Sequence, residues 1–342
     1  MDAGLPLMNP SLKIVRLTSR SMNERIDAMV KSHQCGWFWH RPIWRDYEMA
    51  RNPRLIDHSW AVTVDSVPVA CQLLTYNPDL QLLGLGDLPA PVGLYPAVEV
   101  PGVTLLMAHV FESTIKHFEG RLGFRMMPLH PHFYPGINDD LDVRTNFYEG
   151  WSQEGWEDKT IETRIIDLNG DDLWSSIRKS YRHIISNSHD DILVSEEHTD
   201  STRGICQDLH RRASGRQTRP SESWIHQEVF VSQDDASWFV ARDRRTSEPV
   251  GFAYVLRWKG WAYYASAATV RPNVAHPLQW AIIQRLKEQG VLHYEMGYQG
   301  QDMTSKGQGI EFFRRGFGGY DIAQPTYSST LLCANSDDRT VH

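Results

Sequence analysis

The stretch from Trp261 to Gly319 leaves a chain like this few ways to fold. Trp261-Ala262-Tyr263-Tyr264-Ala265-Ser266-Ala267 reads as an aromatic strand. A helix follows, starting near Pro277. Leu278, Ile282 and Leu286 recur every four residues and make one apolar face, leaving Gln284, Lys287 and Glu288 for solvent. Pro277 suits the first helical turn, where its missing N–H has no intrahelical partner, and Gly290 supplies the left-handed residue after the last turn. Val291-Leu292-His293-Tyr294-Glu295-Met296-Gly297 is a second strand. Lys306-Gly307-Gln308-Gly309-Ile310-Glu311-Phe312-Phe313-Arg314-Arg315-Gly316-Phe317-Gly318-Gly319 reads as a basic aromatic turn. Strand, amphipathic helix and strand in that order lay a helix on a sheet, an α+β unit.

Two hairpins, one in each half, share a pattern. The first is Trp60-Ala61-Val62-Thr63-Val64-Asp65, a short turn, then Pro68-Val69-Ala70-Cys71-Gln72-Leu73-Leu74. The second is Trp238-Phe239-Val240-Ala241-Arg242-Asp243, a longer turn, then Pro249-Val250-Gly251-Phe252-Ala253-Tyr254-Val255-Leu256. Both run Trp, strand, Asp, turn, Pro-Val-small, strand, which implies a duplication. The surrounding elements agree. The first half predicts a strand near 13–16, a helix near 21–31, a Trp-rich segment (Trp37, Trp39, Trp44), a helix near 103–119 and a strand near 124–128. The second predicts a strand near 163–168 and helices near 172–188, 202–213 and 222–233 ahead of its hairpin. The expected domains are 1–150 and 151–342, with 138–159, rich in Asp, Gly and Glu, as the linker.

A length of 342 residues agrees with two domains at roughly 150 residues each. The net charge of -7 argues against a broad nucleic-acid surface, so any nucleic-acid contact must use a local patch. Cys35, Cys71, Cys206 and Cys333 are far apart with no CxxC pair, so neither a disulfide framework nor a zinc site is expected. Residues 1–10 lack a basic start followed by an apolar run, and no apolar stretch is of bilayer-spanning length. The expectation is a soluble cytoplasmic protein with reduced thiols and no membrane span.

In four stretches the chain resembles the FemAB-like transferases, which are built from two units of the GNAT acyltransferase fold. They are the basic run Ile177-Arg178-Lys179-Ser180-Tyr181-Arg182-His183-Ile184, the loop Ala213-Ser214-Gly215-Arg216-Gln217-Thr218-Arg219-Pro220-Ser221-Glu222-Ser223-Trp224, the Trp261 strand with its helix, and the Gly309 to Gly319 turn. In the first half, Gly84-Leu85-Gly86-Asp87-Leu88-Pro89-Ala90-Pro91 is similar. The resemblance implies two tandem GNAT-like domains with mixed, mostly antiparallel sheets flanked by helices. It implies transfer of an acyl group, often an aminoacyl group from a charged tRNA, to an amine on a cell-wall precursor, a sugar or a small natural-product intermediate. Some relatives look like acyl-CoA users. The chain lacks the long helical arm that many cell-wall members insert in their second domain, which counts against a cell-wall acceptor.

Such a reaction needs few groups. The site must align an uncharged amine with the acyl carbonyl, stabilise an oxyanion and accept a proton. No metal or resident cofactor is expected, since the donor, aminoacyl-tRNA or alternatively acyl-CoA, is already activated. The resemblance places Arg314 where the family commonly has Lys, facing the tRNA terminus or the oxyanion. Arg cannot be the base, because it stays protonated. Arg314 and Arg315 read equally as cations at a helix end. Asp87, in a Gly/Pro-rich turn, and Glu295, in the last strand, are the candidate bases, and Asp87 reads also as a turn-ordering residue. Tyr263 and Tyr264 alternate faces, so one points to the core and the other, with Tyr264 the candidate, to the site.

Arg178, Lys179 and Arg182 form a basic helix stripe for phosphate, or a solvated face. Arg203, Arg211, Arg212, Arg216 and Arg219 enlarge that patch; Arg216, Arg219 and Trp224 belong to a candidate substrate loop, and Lys306, flanked by Gly307, is a candidate phosphate contact. His130-Pro131-His132 lacks a third metal ligand, and no Gly-x-Ser-x-Gly or Cys/His arrangement supports a covalent enzyme. Between the Trp261 strand and its helix, where CoA-using GNAT proteins generally place a Gly-rich diphosphate loop, stands Val270-Arg271-Pro272-Asn273-Val274-Ala275-His276-Pro277, with two prolines and no glycine. Direct aminoacyl transfer is the leading reading. An acyl-CoA-dependent N-acyltransferase and a non-catalytic GNAT pair that binds a sugar or peptide are the alternatives.

Overall fold

The computed structural model describes residues 11–33, 36–88, 90, 91, 93, 94, 96, 100–118, 123–127, 156–158, 161–299, 304–324 and 327–329. The chain divides into two compact units, Met1–Lys159 with Pro325–His342, and Thr160–Gln324.

In the first unit, β1 (Leu12–Arg16) leads into α1 (Arg20–Ser32), whose start is capped by the Ser19 hydroxyl accepting from the Met22 N–H. Then come α2 (Pro42–Arg51) and a short β2 (Ile56–Asp57). β3 (Trp60–Val64) and β4 (Val67–Gln72) make the expected antiparallel hairpin, with Val62 opposite Ala70. β5 (Thr75–Asn77) and β6 (Leu82–Gly84) continue antiparallel, followed by β7 (Ala90–Pro91), α3 (Val103–Phe118) and β8 (Gly123–Met127), which runs parallel to β6. Trp60, Val62, Ala70, Leu74 and Leu83 are buried with Ile26 and Val30 of α1.

The second unit repeats this plan. After β9 (Trp156–Asp158), which belongs to the first unit, β10 (Ile161–Asp167) opens it, with α4 (Leu173–Ser176) and α5 (Lys179–Ser188) following. β11 (Ile192–Glu197) leads to α6 (Asp200–Ser214) and α7 (Ser221–Ser232). A meander of β12 (Ala236–Asp243), β13 (Pro249–Trp258) and β14 (Trp261–Thr269) comes next, then α8 (Ala275–Glu288) and β15 (His293–Gln299), parallel to β14. α9 (Ser305–Arg315), β16 (Tyr320–Gln324) and β17 (Tyr327–Ser329) complete the described chain.

Among the described residues the second sheet has the order β11-β12-β13-β14-β15-β10-β16, and the first unit holds the paths β1-β3-β4 and β2-β5-β6-β8-β17-β9. In both units a strand and two helices precede an antiparallel hairpin, and a later helix leads into a strand parallel to an earlier one, β8 to β6 and β15 to β14. The place beside that parallel strand is filled from elsewhere in the chain: by β10 next to β15, and by β17 next to β8. No helix among the described residues is long and apolar enough to cross a membrane.

Several expectations are corrected. The single helix expected over 172–188 is two, because Ile177 and Arg178 are extended and the Arg178 N–H donates to the Gly316 carbonyl, beyond α9, instead of continuing a helix. The expected basic aromatic turn is largely the helix α9. Thr304 caps it by accepting from the Gly307 N–H, which offsets the poor helix propensity of Gly307 and Gly309. β11 was not anticipated from the sequence. Of the expected linker 138–159, only Trp156–Asp158 lies within the described residues, as β9, paired with β17.

The helix anchoring the second core follows its sequence. Leu278, Ile282 and Leu286 of α8 pack with Tyr181, Ile185, Phe239 and Val255, and Gly290 has φ +75° just past the helix end. Across β11, β12, β13 and α8, Glu196 is a polar clasp. It accepts from Ser237 at 2.5 Å, Arg285 at 2.7 Å and Gln289 at 3.1 Å, and lies 3.6 Å from Arg257. Burial alone would push its carboxyl up, but these hydrogen bonds and the Arg257 charge hold it below the usual range. Its contribution is therefore present above the ordinary Glu value of about 4.3 and is lost as pH falls through the depressed folded value. Glu196→Gln should lower stability at pH 7 by about 1.5–3 kcal/mol. Urea unfolding should show this gap closing as pH drops below about 4; a gap that is constant with pH would show that Glu196 carries no charge-dependent stability.

Candidate functional site

The site in the second unit begins where two strands part. β14 and β15 pair over only three positions, Trp261, Ala262 and Tyr263 against His293, Tyr294 and Glu295. β14 then continues on β13 to Thr269, and β15 continues on β10 to Gln299. The opening shows in burial: Trp261 and Ala262 are buried, whereas every residue from Tyr263 to Val270 is partly exposed. Both strands carry a bulge at this point. In β14, Tyr254 and Val255 face Ser266 and Tyr264, leaving Ala265 without a ladder partner. In β15, Arg164 and Ile165 face Gly297 and Glu295, leaving Met296 extra. Bulges of this kind bend a strand and re-aim its side chains.

Glu295 sits at the parting point, fully buried. Its Oε1 accepts a 2.9 Å hydrogen bond from the Thr163 hydroxyl of β10. Its Oε2 is also buried and has no hydrogen-bond partner among the described residues. Burial pushes the carboxyl up to about 7, against the Thr163 bond and the Arg314 charge, which pull it down. A carboxylate poised near neutrality can take and return a proton.

Arg314, in the last turn of α9, reaches the same place. Its Nη1 donates to the Tyr298 carbonyl, and its Nε is buried with no partner among the described residues. Burial pulls the guanidinium below its usual range, with nearby groups including Glu295 acting the other way. Gly297 admits it. That residue has φ +97°, and a Cβ there would lie 2.9 Å from Arg314 Nη2 and 3.2 Å from Cζ. Only glycine meets both demands.

Tyr264 stands on the neighbouring strand, its hydroxyl pushed up by burial and held by Gln279. The Tyr294 hydroxyl donates to Gln279 Oε1 at 2.9 Å. The structure thus brings Glu295, Arg314 and Tyr264 together around the parting strands, and adds Thr163, Gln279 and Gly297, which the sequence reading missed. The Gly297 bulge could have been suspected from a glycine inside a strand; a threonine and a glutamine at their spacings carry no comparable signal.

Other expected site residues lie elsewhere or are engaged. Asp87 belongs to the first unit, where Asn77 and Arg51 each donate to one of its oxygens at 2.8 Å, so it orders a turn. Trp224 is 2% exposed and stacked on Trp238, a core residue that cannot reach a substrate. Arg219 lies over Trp224, 3.8 Å from its ring, and donates to Gln227. Arg315 is shared among Glu311, Asp321 and Glu162 at 3.0, 3.3 and 3.8 Å. Arg178 is not inside a continuous helix with Leu173; it precedes α5 and stacks 3.8 Å over the Phe312 ring.

Lys179 is exposed and Arg182 partly so, at the start of α5, and Arg216 is exposed in the loop between α6 and α7. Lys306 lies in the first turn of α9, not in a loop. The supporting arginines are matched by acids: Arg203 with Glu228, Arg211 with Asp208, and Arg212 with Asp208 and Glu248. The expected basic patch is largely neutralised at those positions. His130 and His132 fall outside the described residues, among which no three His, Cys, Asp or Glu side chains gather as metal ligands.

No protein-family model and no curated protein matches the chain. Solved structures do. FemX is 13% identical with a TM-score of 0.59, over 92% of this chain and 96% of its own. L-PGS from Bacillus licheniformis is 13% identical with a TM-score of 0.54, over 81% and 83%. A tandem GNAT protein from the clavulanic acid biosynthesis pathway is 14% identical with a TM-score of 0.52, over 94% and 99%. At such identities the likeness is one of fold. The chain has a tandem GNAT-like fold, an α+β architecture of two similar units.

Two outcomes test this geometry without any substrate. Glu295 is raised in the folded state, so its stabilising protonated form is complete below the ordinary Glu range and lost as pH rises through about 7. Glu295→Gln should therefore be more stable than the wild type above that pH, on the order of 3 kcal/mol at full effect, and equal to it at pH 4 in thermal unfolding. Gly297→Ala should cost about 1–3 kcal/mol from backbone strain alone and displace Arg314, which a crystal structure of the variant would reveal.

Proposed function

We propose that the protein is an acyltransferase that moves an aminoacyl group from aminoacyl-tRNA to an amine acceptor, a small molecule, peptide or amino sugar, forming an amide. One observation carries this reading: a buried carboxylate oxygen on Glu295, without a partner among the described residues, lies near the half-buried Arg314 where two strands part. In the proposed reaction the uncharged amine attacks the ester carbonyl, and Glu295 takes the proton from the attacking nitrogen. The carbonyl oxygen gains negative charge facing Arg314, which is always charged and acts by electrostatics rather than as a base. Collapse of the adduct breaks the ester bond, and the proton on Glu295 passes to the departing ribose oxygen. Tyr264, held by Gln279, lines the approach. Lys179, Arg182, Arg216 and Lys306 are the cations proposed to meet the donor's phosphates.

The segment before α8 favours this donor over acyl-CoA. Val274 is fully buried there, Arg271 is bonded to Asp243, and Pro272 and Pro277 offer no N–H. Few backbone donors remain to converge on a diphosphate. The FemAB-like resemblance supports an aminoacyl donor.

The test is incubation with labelled aminoacyl-tRNAs and, in parallel, acyl-CoAs, against a panel of amines. Label should pass from tRNA to amine, with a rate that rises with pH to a plateau above about 7. Glu295→Gln should lower kcat by about 10²–10⁴-fold. Consumption of acyl-CoA alone would overturn the donor, and ligand binding without turnover in the wild type would make the chain a binding protein.

A further inference from the structure

Thr163 lies in the middle of β10, flanked in the ladder by Tyr298 of β15 and Ile322 of β16. It is fully buried. A valine would fill this volume and suit a central strand equally well, whereas a buried hydroxyl requires a partner. The Thr163 hydroxyl has one, Oε1 of Glu295. As a β-branched residue, Thr163 has little rotamer freedom, so its donor is fixed relative to the sheet. The carboxylate is thereby anchored by one oxygen, and the other has no partner among the described residues.

We infer that Thr163 is a positioning residue for the proton acceptor, tethering one oxygen of Glu295 across the β10–β15 ladder so that the other is held for the reacting amine. The inference rests on the proposed role of Glu295. Thr163 touches no substrate; it acts through the carboxylate. The groups acting on Glu295 are the Arg314 guanidinium from α9, the Thr163 hydroxyl from β10 and the Tyr298 hydroxyl on β15, and Tyr263, Tyr264 and Tyr294 lie close to Arg314. Arg314 and Thr163 both favour the ionised carboxylate, and burial opposes it. Loss of the Thr163 bond leaves burial less opposed, so the carboxyl should titrate at higher pH. Loss of the tether should also reduce turnover more than substrate binding, because Thr163 acts only through the carboxylate.

The experiment compares Thr163→Val, Thr163→Ser and Glu295→Gln with the wild type. One readout is the pH–rate profile with a mixture of labelled aminoacyl-tRNAs and the amine panel. The other needs no substrate: the carboxyl titration of Glu295, followed by carbon NMR on ¹³C-glutamate-labelled protein and assigned by its absence in Glu295→Gln. Thr163→Val should move both midpoints upward by on the order of one pH unit, the equivalent of one hydrogen bond. It should also lower kcat with KM little changed, and Thr163→Ser should restore the wild-type midpoints. Unmoved midpoints in Thr163→Val, with Glu295→Gln inactive, overturn the inference and leave the role of Glu295 intact. Full activity in Glu295→Gln overturns that role, and the Thr163 inference with it. Should Thr163→Val not fold, Thr163→Ala takes its place, with the same outcomes read the same way.

Discussion

The second unit is organised by the parting of two parallel strands after three residue pairs. A continuous β14–β15 ladder would close the sheet and leave no interior space for a ligand. Each strand instead turns its hydrogen bonds to its other neighbour, β13 or β10, and each carries one bulged residue at the point of departure. Backbone bonding is maintained on the outer sides while the inner sides open. A packed sheet so opens between two strands without sacrificing its core: Leu278, Ile282 and Leu286 of α8 stay buried.

Charge is distributed unevenly around that opening. Most arginines of the second unit named here are matched with carboxylates, as Arg242 is with Glu197 and Arg285 with Glu196. Such pairs hold strands and helices together and leave little net field. Glu295 and Arg314 are different. Glu295 is buried and Arg314 half-buried, each keeps a buried atom without a partner among the described residues, and burial shifts each toward its neutral form. Groups that cost stability in this way gain their use when a substrate supplies the missing partner. The proposed chemistry assigns them the proton and the negative oxygen of acyl transfer.

The duplication was legible because it is written in local patterns. Trp60 and Trp238 open matching hairpins, and the helices ahead of them fall where apolar spacing puts them. The placing of β10 beside β15 and of β17 beside β8 was not legible, since partner choice between strands distant in sequence leaves no periodic mark. Site residues divide similarly. Glu295, Arg314 and Tyr264 belong to stretches with a strong strand or basic aromatic signature. Trp224 misled because an aromatic residue beside arginines reads alike in a core and in a binding loop; only its packing on Trp238 separates the two. Asp87 misled for the same reason, as a turn aspartate can serve Arg51 and Asn77 or a substrate.

The sequence by itself determined most of the strands and helices, the apolar face of α8 and the repetition of the plan, though not β11, the helix α9 or the break at Ile177 and Arg178. These follow from side-chain spacing along a few turns of chain. The tertiary structure alone decided where β14 and β15 separate, that Thr163, 132 positions away, bonds Glu295, and which arginines are neutralised. Those outcomes depend on burial and on contacts between remote segments, and both are properties of the packed fold rather than of any local stretch.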